Sequence, residues 1–160
     1  IIKMMDRLKP KRIVIVSSAP QIRYPDCYGI DMAKLEGLVA FRAALELLKE
    51  RNLYHIVDEV YAKCKSQENF KDDEVVNYVT AIYEPFQPQE ISNKIAEMLS
   101  SPEINAEVKI IFQTVEDLHI ACPKNLGDWY FTGDYPTPGG NRVVNRAFMN
   151  FYEGKDARAY

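Results

Sequence analysis

The chain is short of the side chains that most often bind metals or build covalent frameworks. It has three cysteines, Cys27, Cys64 and Cys122, and two histidines in 160 residues. The cysteine count is odd, the spacing is wide, and no Cys-x-x-Cys occurs. This argues against a disulfide framework or a thiolate zinc site and fits free thiols in a reducing compartment. A cytoplasmic location is the expectation. His55 and His119 have no partner at His-Glu-x-x-His spacing, so structural or surface roles are expected for both. A basic block is also lacking. Twenty Lys and Arg against 23 Asp and Glu leave a net charge of −3, which argues against a general nucleic-acid or membrane-surface binder. No apolar run approaches the ~18 residues of a membrane span, and no signal-peptide pattern is visible. No nucleophile–base constellation can be picked out.

What is present is a soluble-type balance of 47% hydrophobic and 27% charged residues. Its length suffices for one domain that buries roughly 70% of its unfolded surface. The β-branched run at 12–17 predicts a strand buried on both faces of a parallel sheet. Ser17, Ser18 and Pro20 stop it, and a loop follows to Asp31. A helix is expected over 33–50, with Leu35, Leu38, Val39, Leu45 and Leu48 on one face. Three-four spacing continues to Ser101 through Leu53, Ile56, Val57, Val60, Tyr61 and Cys64. It resumes in Val75, Val76, Val79, Ile82 and Tyr83 behind a cap at Asp72, then in Ile91, Ile95, Met98 and Leu99. Loops are expected at 66–71 and 84–89. Strand character returns at 108–113. A short helix over 115–121, a loop-like segment over 124–140 and a last helix over 141–152 complete the pattern. Strand, helices, strand is the order of a right-handed crossover within one parallel sheet.

Residue 1 is Ile, and 1–8 reads as the last turns of an amphipathic helix stopped by Pro10. The expectation is a piece of a longer protein.

In open α/β sheets ligands bind beyond the carboxyl ends of the strands, so the loop after 17 is where chemistry is sought. Ser17 and Ser18 have two readings: phosphate ligands, or small residues that let the chain turn. Asp72-Asp73-Glu74 invites a magnesium–diphosphate reading, but acids in a first helical turn favour the macrodipole, and a helix start is expected. Pro136-Thr137-Pro138-Gly139-Gly140 is read as a turn, with an anion cradle as the alternative. Trp129, Tyr130, Phe131 and Tyr135 are read as a packing patch, not a base-stacking platform.

The run Ser17-Ser18-Ala19-Pro20-Gln21-Ile22-Arg23-Tyr24-Pro25-Asp26-Cys27-Tyr28-Gly29-Ile30-Asp31-Met32 resembles the amidophosphoribosyltransferase family. Leu38-Val39-Ala40, Phe112-Gln113 with Asp117-Leu118, and Phe131-Thr132-Gly133-Asp134-Tyr135-Pro136-Thr137 resemble further family segments in order. The resemblance covers about 1–45 and 103–140. It implies an α/β fold: a partial type I phosphoribosyltransferase-like parallel sheet, formed by 1–45 and 103–160, with a helical insertion at 46–102. It implies formation of phosphoribosylamine from phosphoribosyl pyrophosphate and glutamine-derived ammonia, the first committed step of purine synthesis. Magnesium would accompany phosphoribosyl pyrophosphate, ammonia would come from a glutaminase domain, and purine nucleotides and further copies of the chain would be partners. Ser17, Ser18, Arg23, Tyr28, Gly29 and Asp31 would lie near the nucleotide and phosphoribosyl pyrophosphate sites. Arg23 is either a phosphate contact or a surface arginine.

The family's Asp-Asp-Ser…Gly-Thr motif and its terminal-Cys glutaminase domain are not in these 160 residues, so no catalytic residue is expected in this chain and the chain by itself is expected to be inactive. Ala33 and Gly37 stand where the family often has Pro and Glu. One branch of the family carries a four-iron cluster, with a Cys directly after the loop Pro and a Cys-x-x-Cys before Phe-Thr-Gly. Here Asp26 follows Pro25 and 125–130 contains no Cys, so no cluster is expected. The alternative reading is a non-catalytic phosphoribosyltransferase-like binding or assembly module built on the helical segment.

Overall fold

A computed structural model describes residues 1–26, 32–125 and 127–159. Its sheet is a parallel pair, β1 (Arg12–Ser17) and β2 (Glu107–Phe112), in register from Arg12↔Glu107 to Ser17↔Phe112. The fold is mixed α/β, with most of the chain between the two strands helical.

The sheet has one covered and one open face, not two covered ones. Ile13, Ile15, Val108, Ile110 and Phe112 point to the side on which the helices lie, and Ile13 and Ile110 are buried. Val14 and Val16, 45% and 70% exposed, and Ile111 point the other way. A continuous apolar run reads as a doubly buried strand because both faces are apolar. Among the described residues only one of them is occupied by packing partners.

The covered face meets α4 (Pro88–Leu99), which packs in turn on α2 (Val39–Glu50). The apolar stripe of α2 brings Phe41, Ala44 and Leu48 into the interior. Phe41 makes edge contacts with Phe148 and Phe151 of α7 (Pro138–Tyr152), at centroid separations of 6.2 and 4.9 Å. Such pairs add about 0.5–1.5 kcal/mol beyond burial. The helix expected from residue 33 begins at Val39. Leu35–Gly37 makes a 3₁₀ turn, and Leu38 is extended, with φ −83° and ψ 116°.

Between these elements lie α3 (His55–Ser66) and two 3₁₀ turns, Asp72–Glu74 and Tyr78–Ile82. The expected helix through 75–83 is not formed. Val75 is extended, and Asn77 accepts from Val79 N to start the second turn. The β-branched run Val75-Val76 is a weak helix former, while residues three apart (Val79 and Ile82) face one way in a 3₁₀ turn too. Both are buried. The acidic run thus opens a 3₁₀ turn, and Arg142 pairs with Asp72.

At the N-terminal end, α1 (Ile2–Asp6) buries none of its residues. Asp6 fixes it by accepting from Asn105 N and Ala106 N, and these bonds hold its carboxyl below the usual range. After β2 come α5 (Val115–Ala121) and, within the segment expected to be loop, one turn of helix α6 (Trp129–Thr132). The last helix begins at Pro138, which occupies the first turn where its missing N–H costs nothing.

The interior is continuous. Leu35, Val57, Ile82, Ile91, Ile110 and Phe148 belong to one buried cluster, so the 46–102 helices share their core with both flanks. No helix among the described residues is long and apolar enough to cross a membrane.

Candidate functional site

Where β1 and β2 end, the chain opens a cleft of about 590 Å³. Its walls come from three places in the sequence. The loop after β1 gives Pro20, Gln21 and Arg23. The start of α4 gives Gln87, Pro88, Gln89 and Ser92. The segments beyond β2 give Gln113, Thr114, Glu116, Phe131 and Thr132.

The loop after β1 begins with a local closure. Ser17 Oγ donates to Ala19 O at 2.9 Å and accepts from Ala19 N at 3.3 Å. Its hydroxyl is therefore engaged in the turn, while Ser18 is exposed. Gln113 N donates to Ser17 O at 3.2 Å and carries the strand pairing to the rim of the cleft.

Gln21 is 4% exposed and its amide is fully bonded. Nε2 donates to Pro88 O at 2.7 Å and to Ser92 Oγ at 2.8 Å. Oε1 accepts from Arg23 Nε at 3.2 Å and Nη2 at 2.9 Å. Arg23 is also held from behind. Its Cζ lies 5.3 Å from the centroid of the Tyr83 ring, and its carbonyl accepts from Tyr83 OH at 2.6 Å. Among the described residues no carboxylate pairs with this guanidinium.

The Phe131-Thr132-Gly133-Asp134-Tyr135 segment and Tyr130 before it grip the same loop from the other side. Tyr130 O accepts from Arg23 N at 2.8 Å and Tyr24 N at 3.1 Å. Tyr130 OH donates to Asp26 Oδ1 at 3.0 Å, and Tyr135 OH donates to Pro25 O. Gly133 has φ +84°. A Cβ there would sit 2.9 Å from the Tyr24 ring and 2.8 Å from Asn77 Nδ2, so both conformation and space call for glycine. Tyr24 and Tyr83 meet edge to face at 5.4 Å. Burial raises both phenols well above their ordinary range, keeping them neutral.

The structure thus brings Arg23 to the cleft, whereas Ser17 lines a separate cavity of about 270 Å³ with Leu38 and Ala40, and the exposed Ser18 lines neither. Tyr28, Gly29 and Asp31 lie outside the described residues, as does Cys27. Gln21, Tyr83, Ser92 and Tyr130 were not legible as site residues. Glutamine and serine carry no motif by themselves, and the groups that take the Gln21 amide nitrogen stand 67 and 71 positions away.

The other candidates fall elsewhere. Asp72, Asp73 and Glu74 do not line the cleft. His55 is exposed at the start of α3, and His119 Nε2 lies 3.0 Å from Asp128 Oδ2. Gly140 packs on Tyr135, where a Cβ would meet ring atoms at 2.5 Å, so the Pro-Gly-Gly run opens α7 as a packed turn. Trp129, Tyr130 and Phe131 contact one another at 5.3 and 6.5 Å. A second cavity, of about 310 Å³, is lined by Cys64, Gln67, Arg142 and Asn145.

Magnesium with a diphosphate calls for oxygen ligands, typically one or two carboxylates with the phosphates. Glu116 is the one carboxylate lining the cleft among the described residues, and no group of three or more His, Cys, Asp or Glu gathers among them. The residues present do not fit a paired-acid metal site, and no step through magnesium can be derived from them.

A parallel pair of strands with a cleft of mixed polar and apolar lining at its carboxyl ends matches the ligand-site arrangement of α/β proteins. Compared with known proteins, the chain is similar to amidophosphoribosyltransferase of Saccharomyces cerevisiae (strain ATCC 204508 / S288c). The two are 29% identical over 119 residues, covering 69% of this chain and 23% of the yeast protein. The chain spans less than a quarter of the length of this curated relative. The similarity supports a relation to the phosphoribosyltransferases and nothing finer. No family model matches the chain, and no solved structure matches it.

Proposed function

We propose that the chain forms part of a phosphoribosyltransferase domain of the amidophosphoribosyltransferase kind, and that its strand-end cleft takes a phosphoribosyl or nucleotide ligand. On this reading the full-length protein displaces pyrophosphate from phosphoribosyl pyrophosphate with glutamine-derived ammonia. The observation that carries it is the convergence of two distant segments. Tyr130 and Tyr135 hold residues 23–26 beside the cleft, more than 100 positions away in the sequence.

The part played by this chain is binding and orientation. Arg23 presents positive charge, Gln113 and Thr114 beyond β2 present neutral polar groups, and Phe131 closes one side. Paired acids for magnesium, a Gly-Thr phosphate loop and a glutaminase domain would come from other segments, and the protein would assemble from several copies. A non-catalytic binding or assembly module is the second reading, and the solitary Glu116 in the described cleft favours it.

The test is pyrophosphate release from phosphoribosyl pyrophosphate and magnesium by the full-length protein, with ammonia and then with glutamine. Release with both is expected, and none from the 160-residue chain by itself. Binding without release supports the module reading. Activity in the isolated chain contradicts the division of labour.

A further inference from the structure

We propose that Arg23 is a receptor for a phosphate group and that the helical segment 46–102 holds it in place, so that this segment is a working wall of the cleft and not an appendage to it. The inference rests on reading the cleft as a site for a phosphate-bearing ligand.

Three observations converge. The first is the direction of the bonding. Gln21 receives two N–H groups of Arg23 on one oxygen, leaving the outer part of the guanidinium fork unpartnered among the described residues. A planar fork with free donors matches a phosphate edge. A surface arginine without a role would keep many rotamers, and this one is fixed at Nε, at Nη2 and over an aromatic face.

The second is where the fixing groups come from. Pro88 O and Ser92 Oγ occupy both N–H groups of Gln21, and Ser92 Oγ itself donates to Pro88 O at 3.0 Å. With its amide nitrogen committed to α4, Gln21 can turn only its oxygen to Arg23. Tyr83, from the turn before α4, supplies the ring and the hydroxyl behind Arg23. Every side chain that orients Arg23, apart from Gln21, therefore belongs to the segment between the strands.

The third is the lining. Gln87, Gln89 and Ser92 face the same cleft as Gln113 and Thr114 at the end of β2. The glutamines and Thr114 are neutral groups, able to bond a ligand without cancelling the charge of Arg23, while Ser92 is committed to Gln21 and Pro88 and Glu116 is the one acid in the described lining. Gln21 is then a positioning residue that acts through Arg23.

The test is a titration of the full-length protein with inorganic pyrophosphate. Affinity is read at the backbone amides of Gln113, Thr114 and Glu116, so that anion sites elsewhere do not contribute. Arg23→Ala should weaken binding there by about tenfold or more, as when one charge-assisted contact is lost. Arg23→Lys should recover part of the loss, because the charge returns without the fork. Gln21→Leu and Ser92→Ala should weaken binding with Arg23 still present, and should add nothing in an Arg23→Ala background. Should Gln21→Leu fail to fold, Ser92→Ala and Tyr83→Phe carry the same test.

Unchanged affinity in Arg23→Ala overturns the receptor. Additive losses from Gln21→Leu and Arg23→Ala overturn the positioning role and leave Gln21 purely structural. Pyrophosphate release without Arg23-dependent binding overturns this inference and leaves the proposed function standing. Arg23-dependent binding in a protein that turns nothing over does the reverse.

Discussion

Around Phe41 and Phe148 the chain encloses apolar side chains that pack against one another; beyond the ends of β1 and β2 it encloses polar ones that hydrogen-bond in series. The two regions touch, since α4 buries Ile91 and Ile95 in the first and turns Ser92 to the second. The difference lies in what each leaves unmet. In the apolar region the rings of Phe41, Phe148 and Phe151 meet one another edge to face or tilted. In the polar region Gln21 is saturated while Arg23 keeps donors free among the described residues. The apolar region closes on itself, and on the proposed reading a ligand would complete the polar one.

That contrast can be broken from the apolar side first. Phe148→Ala removes a fully buried ring and should cost about 3–5 kcal/mol in denaturant unfolding. Gly133→Ala acts where the regions join. Its positive φ and the close approach of Tyr24 and Asn77 should cost about 1–3 kcal/mol. Unlike Phe148→Ala, it should also loosen residues 23–26 and weaken ligand binding in protein that remains folded.

Acid sharpens the comparison at the seam of α3 and α7. Lys155, and then Tyr61 donating at 2.7 Å, hold the Glu153 carboxyl down at about 2, against an ordinary 4.5. A depressed carboxyl contributes stability that is present above its unfolded value and lost as pH falls through its folded one. The contribution of Glu153 should therefore fade between about pH 4.5 and 2, and Tyr61→Phe should flatten the urea midpoint over that window. The smallest effect is chemical. Burial pushes the Cys64 thiol up to about 12, whereas Cys122 is exposed. At pH 8 a thiol reagent should modify Cys122 and spare Cys64 until the protein unfolds.

Both strands were legible as short β-branched runs, the first stopped by Ser17, Ser18 and Pro20 and the second lying between Ala106 and Gln113. The sequence hid that the second face of β1 is open, since Val14 and Val16 look the same with or without a partner layer. It also hid the 3₁₀ turn at Tyr78–Ile82, whose apolar spacing imitates an α-helix. Arg23 stood out as a candidate because a specific motif surrounds it. Gln21 did not, because its importance lies in Pro88, Ser92 and Arg23 meeting at one amide, which only the fold brings about. The motif segments at 17–32 and 131–137 gave no sign that one grips the other. The contacts of Tyr130 and Tyr135 supply it.

The most direct measurement maps backbone amide shifts of the full-length protein on addition of phosphoribosyl pyrophosphate with magnesium. The account predicts that, within this chain, the largest changes fall at 21–26, at Ser92 and at 113–116. Changes confined to the cavity lined by Cys64 and Arg142, or none within these 160 residues, would contradict it.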